Sequence, residues 1–297
     1  MTKKLIWILV IFILLLAGAG VVYWRLSHLH PAPPSTASHW PSLPSTSERA
    51  PAPQPNVPEA PAPEKPPPKE SATEGSGFIL RQGETLEYEA NFTKLNSTVA
   101  NLKIVAVEKR ETGTKGSWHL EATVHTENPY RMVFPLDDQF DSYSVAGSMT
   151  SFQYEMHLNE RGQKVDTVER LLSSPNEPAP FGTSAARVLP GTRDPLGMLE
   201  YLRGVDWSRT NEVRSPVYDG RKLYDVRAVL AGNAPAVAVP AGKFNTMKIE
   251  IHVMEDGVEM KDAHFLLYLT NDSTRLPVLM EAVLPIATAR VELTKMK

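Results

Sequence analysis

Eight histidines and a short run of carboxylates are the residues of this chain best suited to acid–base or metal chemistry. His28, His30 and His39 fall in a proline-rich stretch, where a solvated segment accounts for them without a metal. His119 and His125 share the polar face of an alternating run, with Glu121 between them, and these are metal-ligand types. Six residues at roughly 3.3 Å rise put their Cα atoms about 20 Å apart, too far to share one ion. His157, His252 and His264 belong to other segments, and spacing alone does not bring them together. Asp137-Asp138-Gln139-Phe140-Asp141 is acidic enough to suggest calcium. A calcium loop of the EF-hand kind needs carboxylates at alternate positions and a glycine at the sixth, and both are missing here. The run reads as a surface turn entering a strand.

No G-x-S-x-G elbow, phosphate-binding loop or H-E-x-x-H helix occurs. The absence of cysteine excludes a disulfide scaffold, thiolate-held zinc or iron–sulfur, thiol catalysis and a lipid-modified cysteine anchor. A net charge of -3 offers no footprint for nucleic acid. The sequence therefore assigns no catalytic residue, no metal and no cofactor, and an enzyme is not the expected class.

Binding is the better candidate. Ser173 to Thr192 is a long proline-containing stretch in an otherwise tightly turned region, and stretches of that length are usually functional or disordered. It leads straight into an apolar helical segment. Phe181, Leu189, Leu196, Met198 and Tyr201 are accordingly the expected lid and wall residues of an apolar cavity. The alternative is a plain insertion over a filled core.

The elements that would position these residues follow from periodicity. Leu86, Tyr88, Ala90 and Phe92 alternate with polar residues, as do Trp118 to Val124, Phe152 to Leu158 and Met247 to Val253. Period 2 with one wet face is the pattern of half-buried antiparallel strands. Turn residues at Thr112–Gly116, Asn159–Gly162, Asp219-Gly220 and Glu255–Gly257 separate strand-like segments. Further strands are expected near 98–110, 139–146, 163–172, 221–231, 262–270, 276–284 and 286–294. Asp194-Pro195 has the N-cap and first-turn arrangement of a helix, Leu196, Met198, Leu199 and Leu202 recur at helical spacing, and Gly204 follows as a stop. The fold class is mainly β: a curved antiparallel sheet or barrel-like domain, with one short helix over an opening or face of it.

Two segments precede that domain. Residues 1–25 hold an uncharged apolar run from Leu5 to Trp24, flanked by Lys3 and Lys4 on one side and Arg25 on the other. About 20 residues match a hydrocarbon core roughly 30 Å thick. The charge bias places the N-terminus in the cytoplasm. The expectation is a single-pass inner-membrane anchor through residues 5–24; a cleaved signal peptide, with Ala17-Gly18-Ala19 as its small-residue site, is the alternative. Residues 26–77 carry the excess proline, fourteen of the 26 falling between Pro31 and Pro68. Such a stretch cannot propagate helix or sheet and favours extended polyproline II at about 3.1 Å per residue, a stalk with a reach on the order of 100 Å. Residues 78–297 are the exported domain.

Gly83-Glu84-x-Leu86-x-Tyr88, Asp141-Ser142-Tyr143, Asp194-Pro195 through Tyr201-Leu202-Arg203, Val239-Pro-Ala-Gly242-Lys-Phe244 and Leu269-Thr-Asn-Asp272-Ser-Thr-Arg275-Leu-Pro277 follow one another in this order. Together they resemble the DUF3108 family of bacterial envelope proteins over nearly all of residues 80–295. The resemblance implies a periplasmic β-rich domain and no catalytic residues to carry over. The expected role is non-catalytic: binding an apolar or envelope-derived ligand. A structural module docking to another envelope protein or cell-wall component is the second reading, and an enzyme acting on an envelope glycan or lipid is the third.

Overall fold

The computed structural model describes residues 80–93, 97–112, 115–174, 176–178, 181, 184–260, 264–284 and 287–297. The expected anchor, 1–25, and stalk, 26–77, lie outside these residues. Among the described residues, no helix is long and apolar enough to cross a membrane.

Fourteen strands form one sheet. They are β1 (Thr85–Phe92), β2 (Thr98–Thr112), β3 (Lys115–Thr126), β4 (Asp137–Val145), β5 (Ser151–Glu160), β6 (Gln163–Leu172), β7 (Ser184–Arg187), β8 (Glu212–Tyr218), β9 (Leu223–Val239), β10 (Gly242–Glu255), β11 (Val258–Glu259), β12 (His264–Thr270), β13 (Pro277–Val283) and β14 (Thr288–Met296). The order across the sheet is β7-β6-β5-β4-β3-β2-β1-β14-β13-β12-β10-β9-β8, with β11 paired to β10 alone. Chain-neighbouring strands pair as hairpins almost throughout, and β1 with β14 joins the two ends of the domain. Only the β6–β7 pairing is parallel among the described strands. The alternation drives this directly. Leu86, Tyr88, Ala90 and Phe92 are buried on β1 while their neighbours are not, and β3, β5 and β10 repeat the pattern.

The sheet curls far enough for its two ends to meet, although no strand ladder closes it. Thr192 and Arg193 are the clasp. The Thr192 carbonyl accepts from the backbone N–H of Ser151 on β5 (3.0 Å); Arg193 N–H donates to Pro216 O on β8 (3.0 Å), and Tyr218 N–H donates to Arg193 O (2.8 Å). The Tyr218 hydroxyl then donates across the gap to Glu169 Oε2 on β6 at 2.6 Å. The expected curved, barrel-like sheet is therefore present as an open sheet with a side-chain and single-segment closure.

The helix α1 (Pro195–Gly204) lies inside this shell, and nine of its ten residues are buried. A helix apolar on most of its circumference has to be surrounded, and Leu196, Met198, Leu199 and Leu202 leave only Tyr201 partly exposed. The expectation of a helix covering an opening gives way to an internal plug. Its start is fixed by Asp194, whose Oδ1 accepts from Gly197 N–H at 2.8 Å. Oδ2 of the same carboxylate accepts from Ser142 Oγ at 2.5 Å, and Asp194 N–H donates to Ser151 Oγ at 2.8 Å. An N-cap of this kind contributes about 0.5–2 kcal/mol.

Its end is fixed by Arg203, which is fully buried. One guanidinium nitrogen donates to Glu84 Oε1 (2.7 Å) and to both oxygens of Glu200 (3.0 and 2.9 Å). The others reach the carbonyls of Arg275 (3.1 Å) and Thr274 (3.2 Å). Separated pieces of sequence thus meet at two points: Asp141-Ser142 with Asp194-Pro195, and Gly83-Glu84 with Arg203 and the 272–275 turn.

Candidate functional site

Between α1 and the inner face of the β8 to β13 half of the shell there is a partly open cavity of about 110 Å³. Met198, Leu199 and Leu202 form its helix wall; Val226, Val253, Phe265 and Met280 are prominent on the sheet wall. The register explains why they converge. Val226 pairs with Val253 between β9 and β10, Ile251 with Phe265 between β10 and β12, and Leu267 with Met280 between β12 and β13. Paired positions share a face, so the apolar residues of four strands point at the same stretch of helix.

Polar groups at the cavity are few and acidic. Asp219, at the β8–β9 turn, accepts from the backbone N–H groups of Arg221 (2.9 Å) and Lys222 (2.8 Å) through Oδ1, and burial pushes its carboxyl above the ordinary range. Tyr224 stands beside it, its phenol also pushed up by burial. Glu281 accepts from Arg290 Nη1 at 2.7 Å and from the Tyr268 hydroxyl at 3.1 Å. Among the described residues, no lysine, arginine or histidine lines the cavity. The hydroxyl of Tyr154, buried on β5, has no hydrogen-bond partner among the described residues; after burial itself, the carboxylates of Asp194 and Asp219 are what most oppose its ionisation. Gly220 sits against the same region: with φ at +93° it makes a turn that a side chain would strain, and a Cβ there would meet the Met156 side chain at 2.4 Å and Tyr154 at 3.5 Å.

The five residues expected to form lid and walls separate cleanly. Met198 lines the cavity. Leu196 is buried two positions earlier in the helix but in the core rather than on the cavity wall. Tyr201 faces the other way and carries the Arg193 guanidinium over its ring at 3.6 Å. Phe181 and Leu189 are both exposed, and neither is among the described residues that line the cavity. The described residues of the stretch before the helix lie at the sheet edge. They add β7 to the outer edge of β6, and Arg187 ties the stretch to itself through the carbonyls of Ser174 (3.0 Å) and Glu177 (3.2 Å).

The sheet-wall residues were partly legible. The alternation from Met247 to Val253 marks Ile251 and Val253 as inward-facing, but no local signal says which strands the helix will lie against. The acidic run 137–141 is also corrected. It is the first half of β4 and not a turn, with Asp138 and Asp141 only 3% and 4% exposed.

The fold defines a nearly closed antiparallel β-shell wound around one internal helix, with a small apolar cavity between the two. This chain belongs to the DUF3108 family, described as proteins of unknown function, whose model matches residues 87–294. No curated protein matches it. Among solved structures it is similar to a β-barrel-like protein of the DUF1849 family from Brucella abortus, at 13% identity and a TM-score of 0.47, covering 74% of this chain and 98% of that one. A Bacteroides fragilis protein described as exported, with a YmcC-like fold, is similar at 12% identity and a TM-score of 0.35, with 74% and 98% covered. A Parabacteroides distasonis protein described as a lipoprotein is similar at 11% identity and 0.37, with the same coverage.

Proposed function

We propose that this is a non-catalytic binding domain of the bacterial envelope that takes the aliphatic end of an apolar ligand into the cavity between α1 and β8–β13. The observation that carries this reading is a cavity of about 110 Å³ walled by aliphatic and aromatic side chains from five strands and the helix. Size and charge define what fits. An engineered apolar cavity of about 150 Å³ stays dry and takes up benzene, whereas drug-sized pockets run from roughly 300 to 1,000 Å³. The cavity therefore suits the tip of one acyl or isoprenoid chain, with the rest of the molecule outside. The described lining is almost wholly apolar, and its two carboxylates are already held, Asp219 by the N–H groups of Arg221 and Lys222 and Glu281 by Arg290, so the chain enters tail first.

In this reading Met198, on the helix wall of the cavity, contacts the ligand tip. The envelope setting rests on the apolar run 5–24 and the stalk 26–77, which hold the domain on the outer side of an inner membrane.

The reading is tested by displacement of an uncharged apolar dye from a chain beginning at residue 78. Single-chain amphiphiles should displace the dye, and Val226→Phe and Met198→Phe, which fill the cavity from opposite walls, should abolish binding. Phe181→Ala should leave binding unchanged. A folded domain that binds no dye, or binds it equally in both filled variants, favours a packed module that docks through its surface.

A further inference from the structure

On the outer face of the sheet, away from the cavity, strand register brings together residues that spacing in the sequence kept apart. Asp141 on β4 pairs with Glu155 on β5 and with Glu121 on β3. His157 pairs with Gln139 on β4 and Asp166 on β6. We propose that Asp141, Glu155 and His157 form a binding site for a divalent transition-metal ion of the zinc type.

The ligand atoms of the three residues all lie within 4.8 Å of one another. A tetrahedral site with bonds of about 2.1 Å has edges of about 3.4 Å. His157 Nε2 stands 3.4 Å from Glu155 Oε2 and 3.9 Å from Asp141 Oδ2, so a shift of a few tenths of an ångström completes two edges. The supporting contacts leave the right atoms available. His157 Nδ1 donates to Asp166 Oδ1 at 2.8 Å, the carboxylate–histidine arrangement that fixes a metal-binding imidazole and turns the Nε2 lone pair toward the ion. Asp141 is positioned by His119 Nε2, which donates to its Oδ1 at 2.6 Å, with the His119 ring stacked on Tyr143 at 4.6 Å. Gln139 donates to Oδ2 at 2.8 Å, and an ionised carboxylate oxygen has a second lone pair for an ion.

Two carboxylates aimed at one imidazole nitrogen are matched by a positive charge, which a bound divalent ion supplies with the imidazole neutral. Distances of 3.4 and 3.9 Å exceed an ordinary charged hydrogen bond of roughly 2.7–2.9 Å. Among the described residues no lysine or arginine pairs with Asp141, Glu155 or Asp166. One nitrogen and two oxygens, with the outward side open to water, match zinc in a three-ligand site and are too poor in oxygen for calcium. Asp141 and Glu155 together neutralise the ion's two charges.

The experiment is zinc titration of the full chain against a chromophoric chelator, with cobalt substitution as a spectroscopic readout. One ion per chain is expected, with visible cobalt absorption of low-coordinate type. His157→Gln and Glu155→Gln should each weaken binding at least tenfold, and Asp166→Asn roughly tenfold through loss of orientation. His252→Gln is the control, because His252 pairs with one carboxylate among the described residues, Glu259, at 2.6 Å. That change, and replacement of His28, His30 and His39 by alanine, should leave binding unchanged. Absence of zinc binding overturns the proposal. So does binding that survives His157→Gln or disappears with the three stalk histidines.

Discussion

Asp138 is a buried carboxyl on the inner face of β4, and its replacement by asparagine should stabilise the protein at alkaline pH and not at acid pH. Its Oδ1 accepts from Asn159 N–H at 2.8 Å, while Oδ2 is buried with no partner among the described residues. Burial pushes the carboxyl from 3.8 to about 7, and the negative charges of Glu160 and Asp137 add to the shift. The folded state therefore holds a proton that the unfolded chain has already released. The stability associated with that proton is complete below about pH 4 and is lost as pH rises through 7. A shift of about three pH units at 1.36 kcal/mol each sets a ceiling of about 4 kcal/mol at pH 8. Asparagine keeps the acceptor for Asn159 and removes the charge, but it introduces a buried N–H that costs about 1–3 kcal/mol if unpaired. The expected net gain at pH 8 is about 1–3 kcal/mol, shrinking to zero or reversing near pH 4. Urea unfolding of wild type and Asp138→Asn at several pH values reads the difference directly. A difference that does not vary with pH, or a loss of stability at pH 8, would refute the reasoning.

Other perturbations have equally definite outcomes. Arg203→Met leaves Glu84 and Glu200 without their buried cation and frees the 274–275 carbonyls, so unfolding free energy should fall by about 3–5 kcal/mol. Gly197→Ala puts a Cβ 2.9 Å from both Met149 O and Ser151 Oγ; chemical denaturation should show a loss of about 1–3 kcal/mol, and unchanged stability would mean that the helix is held less tightly than described. Deleting residues 1–24 should release the protein from membranes on fractionation, and a variant that still sediments with them would contradict the anchor reading.

The strands were legible because each buries one face: β1, β3, β5 and β10 follow the alternation of their apolar residues. The helix was legible from its cap and its spacing. Two edge strands were not. β8 contains Pro216, which reads as a break, yet a proline is tolerated at the sheet edge where a ladder donor is not required. β7 is Ser-Ala-Ala-Arg, without a large apolar residue to mark it. The position of the helix was also hidden. Periodicity shows that it has apolar sides, but it took the closure through Thr192-Arg193 to enclose it. A long stretch before a helix reads as a lid from sequence alone, and the edge pairing that places Ser184–Arg187 beside β6 has no local signal. The outer cluster depends on register across β3–β6, so no sequence spacing could have joined Asp141 to His157.

The claim that the cavity accepts an apolar chain is tested most directly by methyl NMR of the methionines during titration with a single-chain amphiphile. Met198 and Met280 line the cavity from opposite walls, whereas Met132 is 83% exposed on a surface turn away from it. Saturable shifts at the Met198 and Met280 methyls with no change at Met132 are the predicted result. Shifts confined to surface methionines such as Met132, or none at Met198 and Met280 up to saturation, would contradict it.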